Sequence, residues 1–167
     1  MRIRIVRKED CDQIYRLVQT AFSTAQVSDG TEQDFVLELR RRPGYIPVLE
    51  LAAEENGRLI GHIMLTEQAV EGRQVKALLL APLCVALEYR NRGIGGQLIR
   101  ASFAAAGEMG YTAVFLIGNP DYYGRFGFRP VADFGLANAS DAPDRFVQAC
   151  ELTPGALDGT GGSVLLA

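Results

Sequence analysis

The chain of 167 residues is poor in the side chains on which most catalytic centres depend, with one histidine, three cysteines and no tryptophan. Cys11, Cys84 and Cys150 are odd in number and widely spaced, so neither a disulfide scaffold nor a cysteine-ligated zinc site is predicted. Because His62 is the only imidazole, a His-rich metal centre is excluded. We therefore expect no metal, and the cysteine usage fits a reducing, cytoplasmic environment best.

Excess charge and long hydrophobic runs are also scarce. The 17 basic and 20 acidic residues leave a net charge of −3, so no nucleic-acid partner is expected. The uncharged stretch 77–87 has 11 residues, whereas a helix that crosses a bilayer needs about 20 apolar ones. The first five residues alternate charged and apolar side chains, which leaves no room for a signal peptide. We expect no membrane partner.

Two amphipathic helices are predicted near the beginning of the chain. The buried stripe of the first follows helical spacing and comprises Ile14, Leu17, Val18 and Ala21. Residues 31–34 form a capping-box pattern, in which a hydroxyl and a carboxylate satisfy the first free amides of the second helix. The stripe of that helix comprises Phe35, Val36 and Leu39. The arginines at 40–42 are interpreted as a solvated helix end.

After these two helices the spacing of apolar residues changes from the helical period, and most of the elements predicted next are strands. They are predicted over residues 2–7, 48–53, 59–69, 76–87, 113–117, 128–131, 145–152 and 163–166. Asn56-Gly57 predicts a tight hairpin turn, and further helices are predicted over 93–108 and 120–126. Since no repeat or linker interrupts this pattern, it indicates a single α/β domain over residues 1–167.

A glycine-rich turn connects the most apolar strand to the helix that follows it. Gly93, Gly95 and Gly96 lie at this junction. Glycine tolerates positive φ and lets a ligand approach backbone amides with no Cβ in the way. The free amides and the dipole at a helix start attract an anion such as pyrophosphate, and Arg90 and Arg92 add positive charge. The alternative is that the glycines only permit close helix packing.

The spacing distinguishes this turn from two common nucleotide sites. A dinucleotide fingerprint requires glycine at the position of Leu98, and the sequence has no Gly-Lys-Ser/Thr string for a phosphate loop. Arg90-x-x-Gly93-x-Gly95 after a long apolar strand is instead the coenzyme A pattern of acetyltransferases. Tyr122-Tyr123-Gly124-Arg125-Phe126-Gly127-Phe128 follows in order. On these two motifs the chain resembles the GNAT family of N-acetyltransferases over nearly its whole length.

The resemblance implies a GNAT fold, with a mixed, mostly antiparallel sheet of about seven strands flanked by about four helices. The fourth and fifth strands of that fold splay apart, and Pro82, which has no N–H, suits a disturbed ladder. The implied activity is transfer of the acetyl group of acetyl-CoA to a primary amine by direct attack, without a covalent enzyme intermediate.

The resemblance also implies the cofactor contacts. The pyrophosphate of acetyl-CoA would lie on the turn formed by Asn91, Arg92, Gly93, Ile94, Gly95 and Gly96, next to Arg90. The pantetheine arm would pair with Leu83, Cys84 and Val85, and Asn119 is expected to contact the arm. The amide of Leu83 would stabilise the oxyanion of the tetrahedral intermediate. For Cys84, an inert buried thiol is favoured over an acyl-cysteine.

Tyr123 matches the general acid of the family. A phenol with a pKa near 10 can protonate a leaving thiolate with a pKa of about 8.5. The alternative is that Tyr122 and Tyr123 both pack under the sixth strand.

The general base stays open. Some family members carry a glutamate on the fourth strand, but the matching position here is Leu79. Glu67 and His62, on the third strand, are candidates, although a solvated Glu67 and a His62 satisfied within the sheet are favoured. Glu88 is expected to cap or neutralise the region of Arg90 and Arg92.

Three functions remain open at this point. The leading hypothesis is an N-acetyltransferase; the others are a catalytically weak domain that binds or senses coenzyme A, and an interaction module for another phosphate ligand. The acceptor site is expected at residues 21–30 and 133–145. Its substrate, a small-molecule or peptide amine or a protein lysine, cannot be chosen from the sequence. Either a monomer or a homodimer is expected.

Overall fold

Nine strands and four α-helices follow one another in residues 1–25 and 28–166, the part of the chain that the computed structural model describes. The helices are α1 (Cys11–Phe22), α2 (Glu32–Arg41), α3 (Ile94–Glu108) and α4 (Pro120–Tyr123). The strands are β1 (Arg2–Ile5), β2 (Glu50–Glu55), β3 (Arg58–Gln68), β4 (Ala77–Val85), β5 (Ala113–Ile117), β6 (Arg129–Pro130), β7 (Ala137–Asn138), β8 (Val147–Glu151) and β9 (Ser163–Val164). No helix in these residues is both long and apolar enough to cross a membrane.

Seven of the strands form one mixed sheet in the order β1-β2-β3-β4-β5-β8-β6. β1 with β2, β2 with β3, β5 with β8 and β6 with β8 are antiparallel, whereas β4 and β5 are parallel. The predicted α/β class, the mostly antiparallel sheet and the four helices are confirmed. β7 was not predicted, and the last predicted strand, β9, pairs with it in a separate two-stranded sheet.

The ladder between β4 and β5 is short, as the predicted splay requires. It joins Ala77 to Ala113 and ends at Leu79 opposite Phe115, although β4 continues to Val85. Pro82 lies in that continuing part and has no N–H to give to a ladder.

The chain divides into two compact units. The first comprises residues 1–66 and 81–105 and therefore contains β1, α1, α2, β2, most of β3, the end of β4 and most of α3. The second comprises residues 67–80 and 106–167. The prediction of a single domain over residues 1–167 stays a prediction.

In the first unit, α1 buries the four side chains that its period predicts, Ile14, Leu17, Val18 and Ala21. The hairpin turn is also as predicted: Asn56 and Gly57 both have positive φ, 51° and 78°, as a two-residue turn of this kind requires.

The beginning of α2 corrects two expectations. The Thr31 side chain makes no capping bond to the helix. Its hydroxyl and its amide both donate to Asp29, at 2.6 and 2.9 Å, because this carboxylate lies two residues before it and competes for the donors. Phe35 is only half-buried, and Gln33 is buried with Val36 and Leu39 instead.

A buried ionic cluster joins α2 to the sheet within the first unit. Glu50 is completely buried and accepts two hydrogen bonds from Arg40, at 2.6 and 3.0 Å. It also accepts one from the Tyr45 hydroxyl at 2.7 Å, and His62 Nε2 lies 2.7 Å from its carboxylate. Arg40 is therefore not part of a solvated helix end, because its side chain is only 14% exposed and binds a buried carboxylate of β2. Burial alone would raise the pKa of Glu50, but the bonds from His62 and Arg40 outweigh it and lower the pKa to about 2.

In the second unit, Arg73 holds the C-terminal segment in place. Its guanidinium donates to the carbonyls of Phe134 and Leu157 at 2.7 Å and of Gly161 at 2.9 Å. One planar donor group thereby satisfies the carbonyl of Phe134 and two carbonyls of the connection between β8 and β9.

We expect Glu50→Gln to lower the free energy of unfolding at pH 7 by about 3 kcal/mol, because it leaves Arg40 in a buried site without a carboxylate. Since the pKa of Glu50 is lowered, its stabilising contribution is complete above the ordinary value of 4.5 and is lost as the pH falls toward 2. Urea unfolding across this pH window should show that the free energy of unfolding falls more steeply with decreasing pH in the wild type than in the variant.

Glu38→Gln is the matched control, because Glu38 pairs with Arg42 at an exposed site. It should change the free energy of unfolding by less than about 1 kcal/mol. Equal effects of the two substitutions would contradict the account of the cluster.

Candidate active site

The glycine-rich turn lies in the first unit, between the end of β4 and the beginning of α3. Asn91 and Gly93 have φ values of 63° and 77°, the left-handed region that glycine adopts without strain. A Cβ at Gly93 would meet no atom within 4 Å. The backbone of the turn therefore faces open space at Gly93.

The amides at the start of α3 have no helical carbonyl to bond. Gln97 N–H bonds to Gly93 O at 3.1 Å, and the N–H groups before it precede the first turn of hydrogen bonds, as at the N-terminus of every helix. With the positive end of the helix dipole, these groups form an anion-binding surface.

The two arginines of the turn make different contacts. The Arg92 guanidinium stacks over the Tyr89 ring, 5.1 Å from its centroid, and Arg58 lies 5.8 Å from the same ring. Arg90 instead donates to the backbone carbonyls of Ala21 and Val85. Glu88 forms its ion pair with Arg58, so the expectation that it neutralises Arg90 and Arg92 is corrected.

The strand residues assigned to the cofactor arm alternate in burial. Cys84 is buried, while Leu83 and Val85 are half-buried on either side of it. Burial raises the pKa of the Cys84 thiol to about 12. Because the thiolate is the nucleophile, this value supports the inert thiol over an acyl-cysteine.

Tyr123 lies in α4, in the second unit, and its ring is closely packed against neighbouring groups. A Cβ at Gly118 would lie 2.6 Å from Tyr123 Cε2, so the ring rests on the backbone where only glycine leaves room. The ring also meets Tyr122 edge-on at 5.0 Å and Phe128 at 5.8 Å. Asn119 begins the helix by accepting from the Asp121 amide at 2.9 Å.

Gln148 binds the backbone on which the Tyr123 ring packs, and it was not identified from the sequence. It is completely buried, and its Nε2 donates to the Gly118 carbonyl at 3.0 Å. Its Oε1 has no hydrogen-bond partner among the described residues. A polar residue between Val147 and the apolar pair Ala149 and Cys150 was the signal in the sequence.

The two candidates for the general base, His62 and Glu67, differ in their exposure. His62 is completely buried and engaged with Glu50, which removes it from direct contact with an acceptor. Glu67 is exposed and accepts from the Tyr111 hydroxyl at 2.7 Å. Burial and this hydrogen bond raise the pKa of Tyr111 to about 12.

The expected acceptor segments are partly described. Gln26 and Val27 lie outside the described residues. In the second segment, Asp133, Asp141 and Asp144 are all exposed. No group of three His, Cys, Asp or Glu side chains in residues 1–25 and 28–166 is placed to hold a metal ion.

Comparison of the sequence with known proteins gives one family and several relatives. Residues 2–131 match the family described as "Acetyltransferase (GNAT) domain". The uncharacterised N-acetyltransferase YjhQ of Escherichia coli K12 is 35% identical over 130 residues, which are 77% of this chain and 69% of the relative. The uncharacterised N-acetyltransferase YhbS of the same strain is 29% identical over 164 residues, 98% of this chain and 95% of the relative.

Solved structures agree with the sequence comparison. The structure of YhbS from Escherichia coli in complex with CoA superposes with a TM-score of 0.88 at 28% identity, covering 99% of this chain and 89% of that one. A GNAT family acetyltransferase from Brucella melitensis in complex with acetyl-CoA gives 0.80 at 28% identity, with 99% and 95% covered.

Gly118→Ala should lower the free energy of unfolding by about 1–3 kcal/mol, because the added methyl group is driven into the Tyr123 ring. Gly124→Ala is the matched control, since a Cβ there meets nothing within 4 Å and Gly124 has a helical φ of −56°. Urea unfolding of both variants measures the difference. If Gly118→Ala were as stable as the control, the Tyr123 ring would not rest on Gly118.

Proposed function

The chain belongs to the GNAT family of acetyltransferases, and on that premise we propose that it moves the acetyl group of acetyl-CoA to a primary amine. The amine lone pair attacks the thioester carbonyl carbon and forms a tetrahedral oxyanion. The C–S bond then breaks, and the amide and the thiol of coenzyme A leave. No covalent enzyme intermediate is formed.

The observation that carries this proposal is the turn from β4 into α3, with Gly93 open to solvent and amides free of helical partners. We assign the pyrophosphate of acetyl-CoA to the backbone amides of residues 91–96, with Arg92 as the nearby charge. Two relatives of 28% identity, solved in complex with CoA and acetyl-CoA, support acetyl-CoA as the ligand of this proposal.

The end of β4 is proposed to bind the pantetheine arm. Leu83, Cys84 and Val85 follow the point at which the ladder with β5 ends, so their backbone groups are suited to pair with the amides of the arm. The Leu83 amide is proposed to donate to the thioester oxygen and to its oxyanion, a fixed donor of the kind that lowers acyl-transfer barriers most. Asn119 is proposed as a further polar contact to the arm.

Tyr123 is proposed as the general acid. The Gly118 backbone and the Tyr122 and Phe128 rings restrict its side chain, and a fixed phenol can deliver its proton as the thiolate leaves. Glu67 is proposed as the base that takes the proton of the acceptor ammonium, because its carboxylate is exposed. The hydrogen bond from Tyr111 engages one of its two oxygens and orients the carboxylate.

A second candidate is a catalytically weak domain that binds or senses coenzyme A. Leu79, at the position where some family members carry the glutamate base, is buried and apolar. The alternative therefore predicts tight binding of coenzyme A with no amine-dependent turnover.

A thiol-release assay with acetyl-CoA and a panel of small amines, peptides and lysine-containing proteins tests the proposal. We expect amine-dependent release for at least one acceptor class. Binding of coenzyme A by calorimetry without release would favour the sensing domain. Absence of binding would overturn both and favour another phosphate ligand.

With an active acceptor, Tyr123→Phe should lower kcat about 10²-fold or more, because the departing thiolate loses its proton donor. The Kd for acetyl-CoA should stay at the wild-type value. Tyr122→Phe, which changes the neighbouring ring in the same way, is the control and should retain turnover. Unaltered kcat in Tyr123→Phe would remove Tyr123 from the mechanism.

A further inference from the structure

Gln148 is a polar side chain in the interior of the sheet. It lies on β8, which pairs with β5 on one side and with β6 on the other, and it is completely buried. Its neighbours along the strand, Val147 and Ala149, are apolar and equally buried. Because glutamine is mostly found at exposed positions, a glutamine here requires a specific partner.

The partner of Gln148 is a backbone carbonyl that the sheet itself leaves unpaired. In an antiparallel ladder, the two residues of a hydrogen-bonded pair exchange two N–H···O bonds. Gly118 follows β5 and lies opposite Phe146 in the same register. Gly118 N–H donates to Phe146 O at 3.0 Å, but Phe146 N–H donates to Pro143 O instead, also at 3.0 Å. The Gly118 carbonyl therefore lacks its ladder donor.

The side chain of Gln148 supplies the missing donor. Its Nε2 donates to Gly118 O at 3.0 Å. Leu116, which is opposite Gln148 in the ladder, lies two residues before Gly118, and a long side chain reaches such a diagonal neighbour. Both polar backbone groups of Gly118 are thereby bound by residues 146–148 of the second unit.

The backbone of Gly118 in turn determines where the Tyr123 ring lies. A Cβ at Gly118 would be 2.6 Å from Tyr123 Cε2 and 3.0 Å from Cδ2, so the backbone packs against one edge of the ring. Cε2 is bonded to the carbon that carries the phenol oxygen. The Tyr123 amide also donates to the carbonyl of Asn119, the residue after Gly118, at 3.0 Å. A displacement of Gly118 therefore moves the hydroxyl with it.

The other half of the Gln148 amide is unfavourable for stability. Its Oε1 is buried and has no hydrogen-bond donor in the part of the chain that the structure describes. A buried acceptor without a partner destabilises the folded state. An apolar side chain of similar length would avoid this penalty but would leave the Gly118 carbonyl without a donor. Gln148 is therefore better suited to hold Gly118 than to fill the core.

We propose that Gln148 is a positioning residue, which replaces the missing ladder donor at Gly118 and so fixes the Tyr123 hydroxyl for proton transfer to the leaving thiolate. This rests on the proposed function, because Tyr123 is taken to be the general acid. Proton transfer requires the two heavy atoms to be about 2.6–3.2 Å apart, and a misplacement of about 1 Å costs about 10²-fold in rate. Gln148 itself contacts neither substrate nor cofactor.

Gln148→Met tests this role, because methionine has nearly the same length and no N–H. With an active acceptor amine, kcat should fall about tenfold or more, whereas the Kd for acetyl-CoA should keep its wild-type value. The melting temperature should change by less than about 4 °C, because the substitution removes one unpaired buried atom, Oε1, and creates another, Gly118 O.

The same substitution in a Tyr123→Phe background distinguishes positioning from a general disturbance of the site. If Gln148 acts through the Tyr123 hydroxyl, Gln148→Met should lower kcat in this background by less than about twofold, because the group that it positions is already absent. Equal factors in the two backgrounds would show that Gln148 acts elsewhere, and the proposal would be wrong.

Leu157→Val is the control for a loss of stability alone. Leu157 is buried in the same unit, in the connection between β8 and β9, and has no part in the proposed site. Its shorter side chain should lower the melting temperature by about 3 °C and leave kcat unchanged. If Gln148→Met behaves in the same way, Gln148 has only a structural role and the proposal is overturned.

The carbonyl resonance of Gly118 supplies a measurement that needs no acceptor. In protein labelled with ¹³C and ¹⁵N, this ¹³C signal should move upfield in Gln148→Met, because the carbonyl loses its donor, and stay in place in Leu157→Val. An unchanged signal in Gln148→Met would overturn the proposal whatever the kinetics. If the signal moves but Tyr123→Phe alone keeps the wild-type kcat, the assignment of Tyr123 as general acid fails, and the positioning role fails with it.

Discussion

The backbone amides at the junction of β4 and α3 impose the constraint on which the rest of the structure depends. They precede the first hydrogen-bonded turn of α3, and an unsatisfied buried amide would cost about 1–3 kcal/mol. The chain keeps this junction open by placing Gly93 where its backbone faces free space. Chemistry that uses these donors needs few reactive side chains, which explains how an acetyltransferase can have one buried histidine and an inert Cys84.

Amides that act as fixed donors require a rigid scaffold, and side chains that bind backbone carbonyls supply much of it. Arg90 bonds to the end of α1, Arg73 to three carbonyls of the second unit, and Gln148 to the carbonyl of Gly118, on which Tyr123 packs. The cluster around Glu50 adds a buried ion pair between α2 and the sheet. In each case a polar side chain replaces water on groups that folding would otherwise leave unpaired.

Local patterns predicted the parts of the fold that local forces determine. The stripe of α1 follows from helical spacing, and the Asn56-Gly57 turn follows from the φ values that those residues tolerate. Long-range contacts were not predictable in this way. Arg40 bonds to Glu50, the first residue of β2, and Arg73 bonds to carbonyls more than 60 positions later in the chain. Two-residue strands such as β7 are too short to show a hydrophobic period. The motifs located the candidate site, and the roles assigned to Leu83, Glu67 and Tyr123 remain predictions.

The central claim is that backbone amides of one turn hold the cofactor. Amide chemical shifts of the ¹⁵N-labelled protein, recorded during titration with CoA, test it most directly. The account predicts that the largest changes fall on residues 91–96 and on Leu83 and Val85, with downfield shifts where an N–H gains a phosphate or amide oxygen. Saturable binding that leaves these amides unshifted and perturbs another surface would contradict it.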